Sequence, residues 1–336
     1  MEYFLSENLR IEFAKAKKAF MEANKIVVVS HRSPDGDAIG SNLALKMGLE
    51  NIGKIVVSAC VDPVSEANLF LKGSGDFVNN FNYDDFDLIV AVDCGDIKLF
   101  KFHEMKPEIL TGNTPFLNID HHESNNFFGS LNMVDPHACA TCEIVYKFFR
   151  FCGWKISIDI ATSLLCGIYF DTGSLMHSNT SGEVYKIAGD LVSKGADFKL
   201  VGKELFHTTP VNRLKLLGRI LERTHVNEEG VTISAISRDD YESLGANSKD
   251  TSGAIDYLNA VPDSKYCVLL AEDDKGIVKG SLRTRRNDIN LSEVASQWGG
   301  GGHPKASGFG IEGKLVPVFH WKVVSEKEGD AHAVEF

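Results

Sequence analysis

Short apolar runs constrain the first half of this 336-residue chain most: KIVVVS (25–30), KIVVSA (54–59), DLIVAV (87–92) and PFLNI (115–119). Each is too short for a helix and lacks the alternation of a half-exposed strand, so each reads as a strand buried on both faces. Between the first two lies AIGSNLALKMGLENIG, whose apolar residues recur at helical spacing and which closes on Gly53. Strand and helix in alternation imply a mainly parallel sheet flanked by helices. In an open sheet of that kind, ligands sit beyond the carboxyl ends of the strands.

Helical patterns continue at TCEIVYKFFRFCG, DIATSLLCGIYF and SGEVYKIAGDLVSKGAD, and a charged amphipathic stretch runs from 198 to 225. The chain then changes character. VTISAIS, YCVLLAE and GIVKGSLRT read as strands, with helices near 238–244, 251–260 and 290–298. The expected organisation is a larger α/β domain over 1–195, a helical linker over 196–228, a smaller α/β domain over 229–315 and a polar tail over 316–336.

Three of the early strands end on acids and histidines. KIVVVS runs into His31, followed by Asp35 and Asp37 in HRSPDGDAIGS; DLIVAV runs into Asp93 in VDCGD; PFLNI runs into Asp120, His121 and His122. Asp171 follows LLCGIYF in the phrase FDTGS. Alone, HRSPDGDAIGS is as well explained by a turn or a helix N-cap, since Pro, Asp and Gly suit both. Together, the parallel strands bring these groups to one sheet edge, where clustered carboxylates repel one another. Divalent cations are the natural compensation. Carboxylates with a minority of imidazoles suit Mn²⁺ or Mg²⁺ better than structural zinc. So many acids are too many for one ion, and a pair about 4 Å apart suits in-line attack on phosphorus.

HRSPDGDAIGS, VDCGD, NIDHHES and FDTGS, in this order, resemble the motifs of the DHH phosphoesterase superfamily. GGGGHPKASGF (299–309) resembles the signature of its associated C-terminal domain. The arrangement is most similar to the stand-alone branch that degrades very short oligonucleotides and pAp (3′-phosphoadenosine 5′-phosphate). The resemblance implies two domains with the active site in the cleft between them. It implies two divalent ions, Mn²⁺ first, with Mg²⁺ or Co²⁺ as alternatives. One would be held by His31, Asp35 and Asp93, the other by Asp37, Asp93, His121 and Asp171, with Asp93 bridging and hydroxide between the ions as nucleophile. His122 would orient nucleophile or phosphate, supported by Asp120. Substrates would be short RNA or DNA oligonucleotides, linear dinucleotides or pAp; a homodimer is compatible with this reading. Cyclic-dinucleotide phosphodiesterases share the motifs and are the main rival. A non-catalytic RNA-binding module is the rival from another class.

In the second domain, glycine lets backbone N–H groups approach a phosphate closely. The resemblance makes Gly300, Gly301, Gly302, Arg283 and His303 the substrate-binding candidates, with Lys305 beside them. Lys279, Arg283, Arg285 and Arg286 cluster in KGSLRTRR, and alternation would put Arg283 and Arg285 on one face if the strand continued. No Walker sequence follows the glycines. Cys139 and Cys142 form a lone CxxC, read as packing rather than zinc, and His177 stands in no motif.

The 46 acids against 35 bases give a formal charge of −11, which argues against a general duplex-DNA binder but not against a small phosphorylated substrate. Seven cysteines without framework spacing suggest a reducing compartment. The N-terminus lacks the layout of a signal peptide, and no apolar stretch approaches the ~18 residues of a membrane span. The expected location is cytoplasmic, with no membrane partner.

Overall fold

The computed structural model describes residues 6–112, 114–207 and 209–317, and beyond them only a short strand pair, Lys322–Val323 with Val334–Glu335. The expected tail over 316–336 therefore lies largely outside the described residues. Two compact units divide at Thr208 and Thr209, inside the stretch read as a linker.

In the first unit, α1 (Glu7–Glu22) leads into β1 (Lys25–Ser30), and α2 (Gly36–Glu50) leads to β2 (Ile55–Ala59). β3 (Leu88–Val92) follows a series of 3-10 turns. Three single-turn helices, α3 (Ile97–Phe100), α4 (Phe102–Met105) and α5 (Glu108–Thr111), precede β4 (Phe116–Asp120) and β5 (Leu131–Val134). Then come α6 (Thr141–Cys152), α7 (Ile158–Asp171), α8 (Gly182–Ser193) and α9 (Phe198–Gly202). The five strands form one parallel sheet in the order β2-β1-β3-β4-β5. β5 was not legible in the sequence, because LNMV is only partly buried and carries no apolar run.

The pleat of β1 shows why an uninterrupted valine run was needed. Ile26 and Val28 pack into a core with Phe13 and Phe20 of α1 and Phe148 and Phe149 of α6. Val27 and Val29 face the opposite core, with Phe100, Phe102 and Phe116. Both faces are covered. The strand order reverses between β1 and β3, so the chain leaves these two neighbours in opposite directions and opens a crevice at their carboxyl ends.

Close packing of α2 against α7 fixes what enters that crevice. Gly36 lies against the Phe170 side chain, and Gly40 against the Ser163 carbonyl oxygen and the Gly167 N–H, so the helices run antiparallel. A Cβ on Gly40 would collide with that carbonyl, and one on Gly167 with Asp37 Oδ1 and Cys142 Sγ. The glycines let the start of α2 and the end of α7 meet at the sheet edge.

The second unit opens with α10 (Val211–Glu222). The expected helical stretch is thus in pieces: α9, a π-helical turn at Lys203–His207, then α10, whose N-cap Pro210 is extended. β6 (His225–Val226), β7 (Thr232–Ile236), α11 (Arg238–Leu244), α12 (Ala254–Leu258), β8 (Cys267–Glu272), β9 (Ile277–Arg283), α13 (Leu291–Ser296), β10 (Gly301–His303) and β11 (Ala306–Glu312) complete it. Its six-stranded sheet has the order β10-β11-β9-β8-β7-β6, parallel only between β7 and β8. Leu216 and Ile220 of α10 pack with Ile236, Leu258 and Leu269. Asp240 ties α11 to α10 by accepting from Arg223 at 2.5 and 2.8 Å and from Arg219 at 2.8 Å.

Adding a methyl at Gly40 tests the helix approach. Gly40→Ala should lower the stability of the first unit by about 1–3 kcal/mol through overpacking, although alanine is the better helix former. The denaturant midpoint should fall at unchanged slope. An unshifted midpoint would show that the helices have room to spare.

Candidate metal centre

The turn after β1 is pinned before it offers any ligand. Ser33, with φ of 52°, donates its N–H to Asp62 Oδ2 at 2.8 Å, and Cys60 Sγ donates to the His31 carbonyl. Asp35 caps α2, its Oδ1 accepting from the N–H groups of Asp37 (2.9 Å) and Ala38 (3.1 Å). The other oxygen, Oδ2, lies 3.9 Å from His31 Nε2. His31 Nδ1 donates to the Arg32 carbonyl at 2.7 Å, which turns Nε2 inward.

Asp93 follows β3 in a left-handed conformation, φ 58°, which Asp tolerates better than most residues. Its carboxylate is buried and divided. Oδ2 lies 3.4 Å from His31 Nε2; Oδ1 lies 3.6 Å from His121 Nε2 and accepts from Thr141 Oγ1 at 3.1 Å. Asp37, fully buried on α2, accepts from two N–H groups at the start of α6, Thr141 at 2.6 Å and Cys142 at 2.9 Å. The positive end of that helix faces the carboxylate.

His121 and His122 separate after β4. His121 Nδ1 faces the Ala138 carbonyl at 3.4 Å, and its Nε2 reaches Asp171 Oδ2, at the end of α7, at 3.2 Å. His122 donates from Nδ1 to Asp120 Oδ1 at 2.8 Å, and its side chain is 44% exposed. Asp120 is saturated, because its Oδ2 accepts from Asn125 Nδ2 at 2.6 Å and from the His122 N–H at 3.3 Å. The structure thus brings His31, Asp35 and Asp93 into one group, and Asp37, His121 and Asp171 into another; Asp93 also groups with His121 and His122.

The charges are poorly balanced without a cation. Burial opposes a charged His31, yet hydrogen bonding to Asp93 and the charges of Asp93 and Asp35 hold its pKa up at about 9. His121, equally opposed by burial, is raised to about 11 by Asp171, Asp93 and Asp37. Burial would raise Asp93, but His31 and the charges of His121 and His122 hold it at about 2. Burial and then the Asp93 charge push Asp35 up to about 7 and lift Asp37 as well. Burial also lifts Asp171, despite its hydrogen bond from His121. The donor set, rich in carboxylate oxygen with inward Nε2 atoms and no thiolate in any of the groups, fits a hard or borderline cation.

Two residues at the centre were not singled out from the sequence. Asn125 holds Asp120 and donates also to the Cys94 carbonyl at 3.2 Å. Thr141 touches both Asp37 and Asp93. A signal for it existed: α6 starts after Ala140, a poor cap, so its first N–H groups had to find a partner elsewhere. His177, which stands in no motif and for which a surface or satisfied polar role is the default, donates from Nδ1 to the Asp171 carbonyl at 3.3 Å. Cys139 and Cys142 are free and buried.

In the second unit, the polyglycine stretch forms a hairpin rather than an open loop. Gly301, Gly302 and His303 are exposed on strand β10, paired with β11. Gly300 leaves no space for a Cβ against the Gly308 carbonyl, and Gly302 has φ of 141°. Arg283 ends β9, half-buried, so Arg285 lies outside the strand and the shared face does not form. Lys305 Nζ donates to Asn287 Oδ1 at 2.8 Å and to the Arg286 carbonyl, while Arg286 pairs with Asp288. Lys279 pairs with Asp273 at 3.2 Å.

A parallel sheet carrying an acid–imidazole cluster at its switch point, followed by a mixed-sheet unit, defines a class of α/β proteins with a candidate cation-binding centre. Residues 25–168 match the DHH family, N-terminal domain, and residues 227–325 match the DHHA1 domain. The chain belongs to the DHH family, whose phosphoesterases are metal-dependent. It is 30% identical over 292 residues to the bifunctional oligoribonuclease and PAP phosphatase NrnA of Thermus thermophilus, covering 86% of this chain and 84% of that protein. The protein of the same description from Bacillus subtilis is 28% identical over 293 residues, covering 85% and 89%. The crystal structure of an exopolyphosphatase-related protein from Bacteroides fragilis is similar with a TM-score of 0.83 at 26% identity, covering 91% of this chain and 92% of that one. No described helix is long and apolar enough to cross a membrane.

Metal binding at this centre would compete with protons. His31 keeps its proton up to about pH 9 and His121 beyond it, whereas a ligand must offer a free lone pair. Loading the metal-free protein with Mn²⁺ at pH 7 should therefore release protons, and apparent affinity should rise as pH increases from 7 toward 9. Calorimetry in buffers of different ionisation enthalpy reads the release. Buffer-independent heats and a flat affinity would contradict it.

Proposed function

We propose that this chain is a metal-dependent phosphoesterase that hydrolyses short oligonucleotides and pAp, using two divalent ions, Mn²⁺ first. The division of Asp93 carries the reading: its two oxygens face two different acid–imidazole groups, as suits a carboxylate shared by two ions. His31 and Asp35 would hold one ion, Asp37, His121 and Asp171 the other. When bound, such ions supply Lewis acidity toward phosphoryl oxygens and a water deprotonated near neutral pH.

The chain's own residues do the rest. Asp120 holds His122 by Nδ1, and Asn125 holds Asp120, so the imidazole presents a fixed face to solvent and to an incoming phosphate. That suits it to orient the scissile phosphate or pass a proton. Arg283, the N–H groups of Gly301 and Gly302, and His303 would hold a terminal phosphate, with guanidinium as the better fork; the Gly300 N–H is already given to the Ala295 carbonyl at 3.0 Å. Lys305 would act more indirectly, by holding the turn at Arg286 and Asn287. A substrate of a few nucleotides needs no long basic groove, which agrees with the formal charge of −11. The relatives described as oligoribonuclease and PAP phosphatase support this substrate class.

The test is a substrate panel with Mn²⁺: pAp, RNA of two to five nucleotides, linear and cyclic dinucleotides, and pyrophosphate. Turnover should be fastest on short linear RNA and pAp and vanish on chelation. Asp93→Ala should reduce it by more than about a hundredfold, beyond the loss typical of residues outside the ligand set. Preference for a cyclic dinucleotide would replace the substrate assignment; no turnover on any of them would end the enzymatic reading.

A further inference from the structure

We propose that Thr141 is a positioning residue of the centre, setting Asp37 through its backbone N–H and Asp93 through its hydroxyl. Its catalytic consequence rests on the reaction proposed above; its effect on ion binding rests only on Asp37 and Asp93 being ligands. Thr141 is the first residue of α6 and is fully buried. Its N–H donates to Asp37 Oδ2 at 2.6 Å while its Oγ1 donates to Asp93 Oδ1 at 3.1 Å. One residue thus touches a carboxylate from α2 and another from the end of β3.

The two acids depend on it differently. Asp37 has a second anchor, the Cys142 N–H at 2.9 Å, and a helix terminus to face. Asp93 sits on a left-handed residue, and its neighbours at Oδ1 other than Thr141 are imidazoles, His121 at 3.6 Å and His122 at 3.8 Å. A carboxylate accepts only, so the Thr141 proton must point at Asp93, fixing the plane of a group whose two oxygens must face two ways. Thr141 is itself held. Glu143 Oε2 accepts from the Cys139 N–H at 2.8 Å just before the helix, and buried Lys147 joins Glu143 (2.6 Å) to Glu183 (2.8 Å).

Three substitutions separate the hydroxyl from the methyl. Thr141→Val keeps the shape and loses the hydroxyl, Thr141→Ala loses both, and Thr141→Ser keeps the hydroxyl alone. All retain the backbone N–H. Mn²⁺ affinity is read by titration calorimetry, and kcat and KM on the short RNA substrate. The Val and Ala variants should lose about ten- to a hundredfold in Mn²⁺ affinity, and Ser should stay within about threefold of the parent. kcat should follow affinity at subsaturating Mn²⁺ while KM for RNA stays unchanged. Parental affinity in the Val variant, or a Ser variant as impaired as Ala, would overturn the proposal. If the Val variant does not fold, the Ala–Ser comparison decides alone. A parent that binds Mn²⁺ but turns over nothing would count against the function and leave the affinity comparison intact.

Discussion

The seating of Asp37 is the constraint on which the centre depends. A fully buried carboxylate is costly unless hydrogen bonds and charge compensate it. Here the N-terminus of α6 supplies two N–H groups, and the absence of a Cβ at Gly167 supplies the space. The same glycine contacts bring the end of α7, and with it Asp171, beside the start of α2. Helix packing, capping and ligand placement are therefore one arrangement. A change in any of them would be felt in the others.

Much of this was legible because strands buried on both faces leave little choice. Runs such as KIVVVS and DLIVAV admit one reading, and a parallel sheet sends their following residues to one edge. The four acid- and histidine-bearing motifs could be placed near one another on that ground. The individual roles were harder. Asp120 and His121 are adjacent in sequence, yet one is saturated by His122 and Asn125 while the other faces Asp93 and Asp171. Adjacent residues turn to different neighbours at a strand end, and only the neighbours decide which is a ligand.

The second unit shows where pattern reading loses hold. The glycines before His303 were read for the close backbone approach to a phosphate that they allow, not as a strand. They form an edge strand because β11 offers them a partner seven residues long. Alternation would have put Arg283 and Arg285 on one face had the strand continued, but it ends at Arg283, and Lys279 and Arg286 are engaged by nearby acids. Charge counted along the chain overstates the charge available to a ligand.

By itself the sequence determined the class of fold, the sheet edge that carries the cluster and the chemical kind of its candidate ligands, since periodicity and residue type are local properties. The tertiary structure alone decided that Asp93 faces two groups at once, that Asp37 caps a helix 104 residues away and that Thr141 joins them. Those relations depend on how closely α2, α6 and α7 approach. That distance is set by missing side-chain atoms at glycines whose partners lie far along the chain.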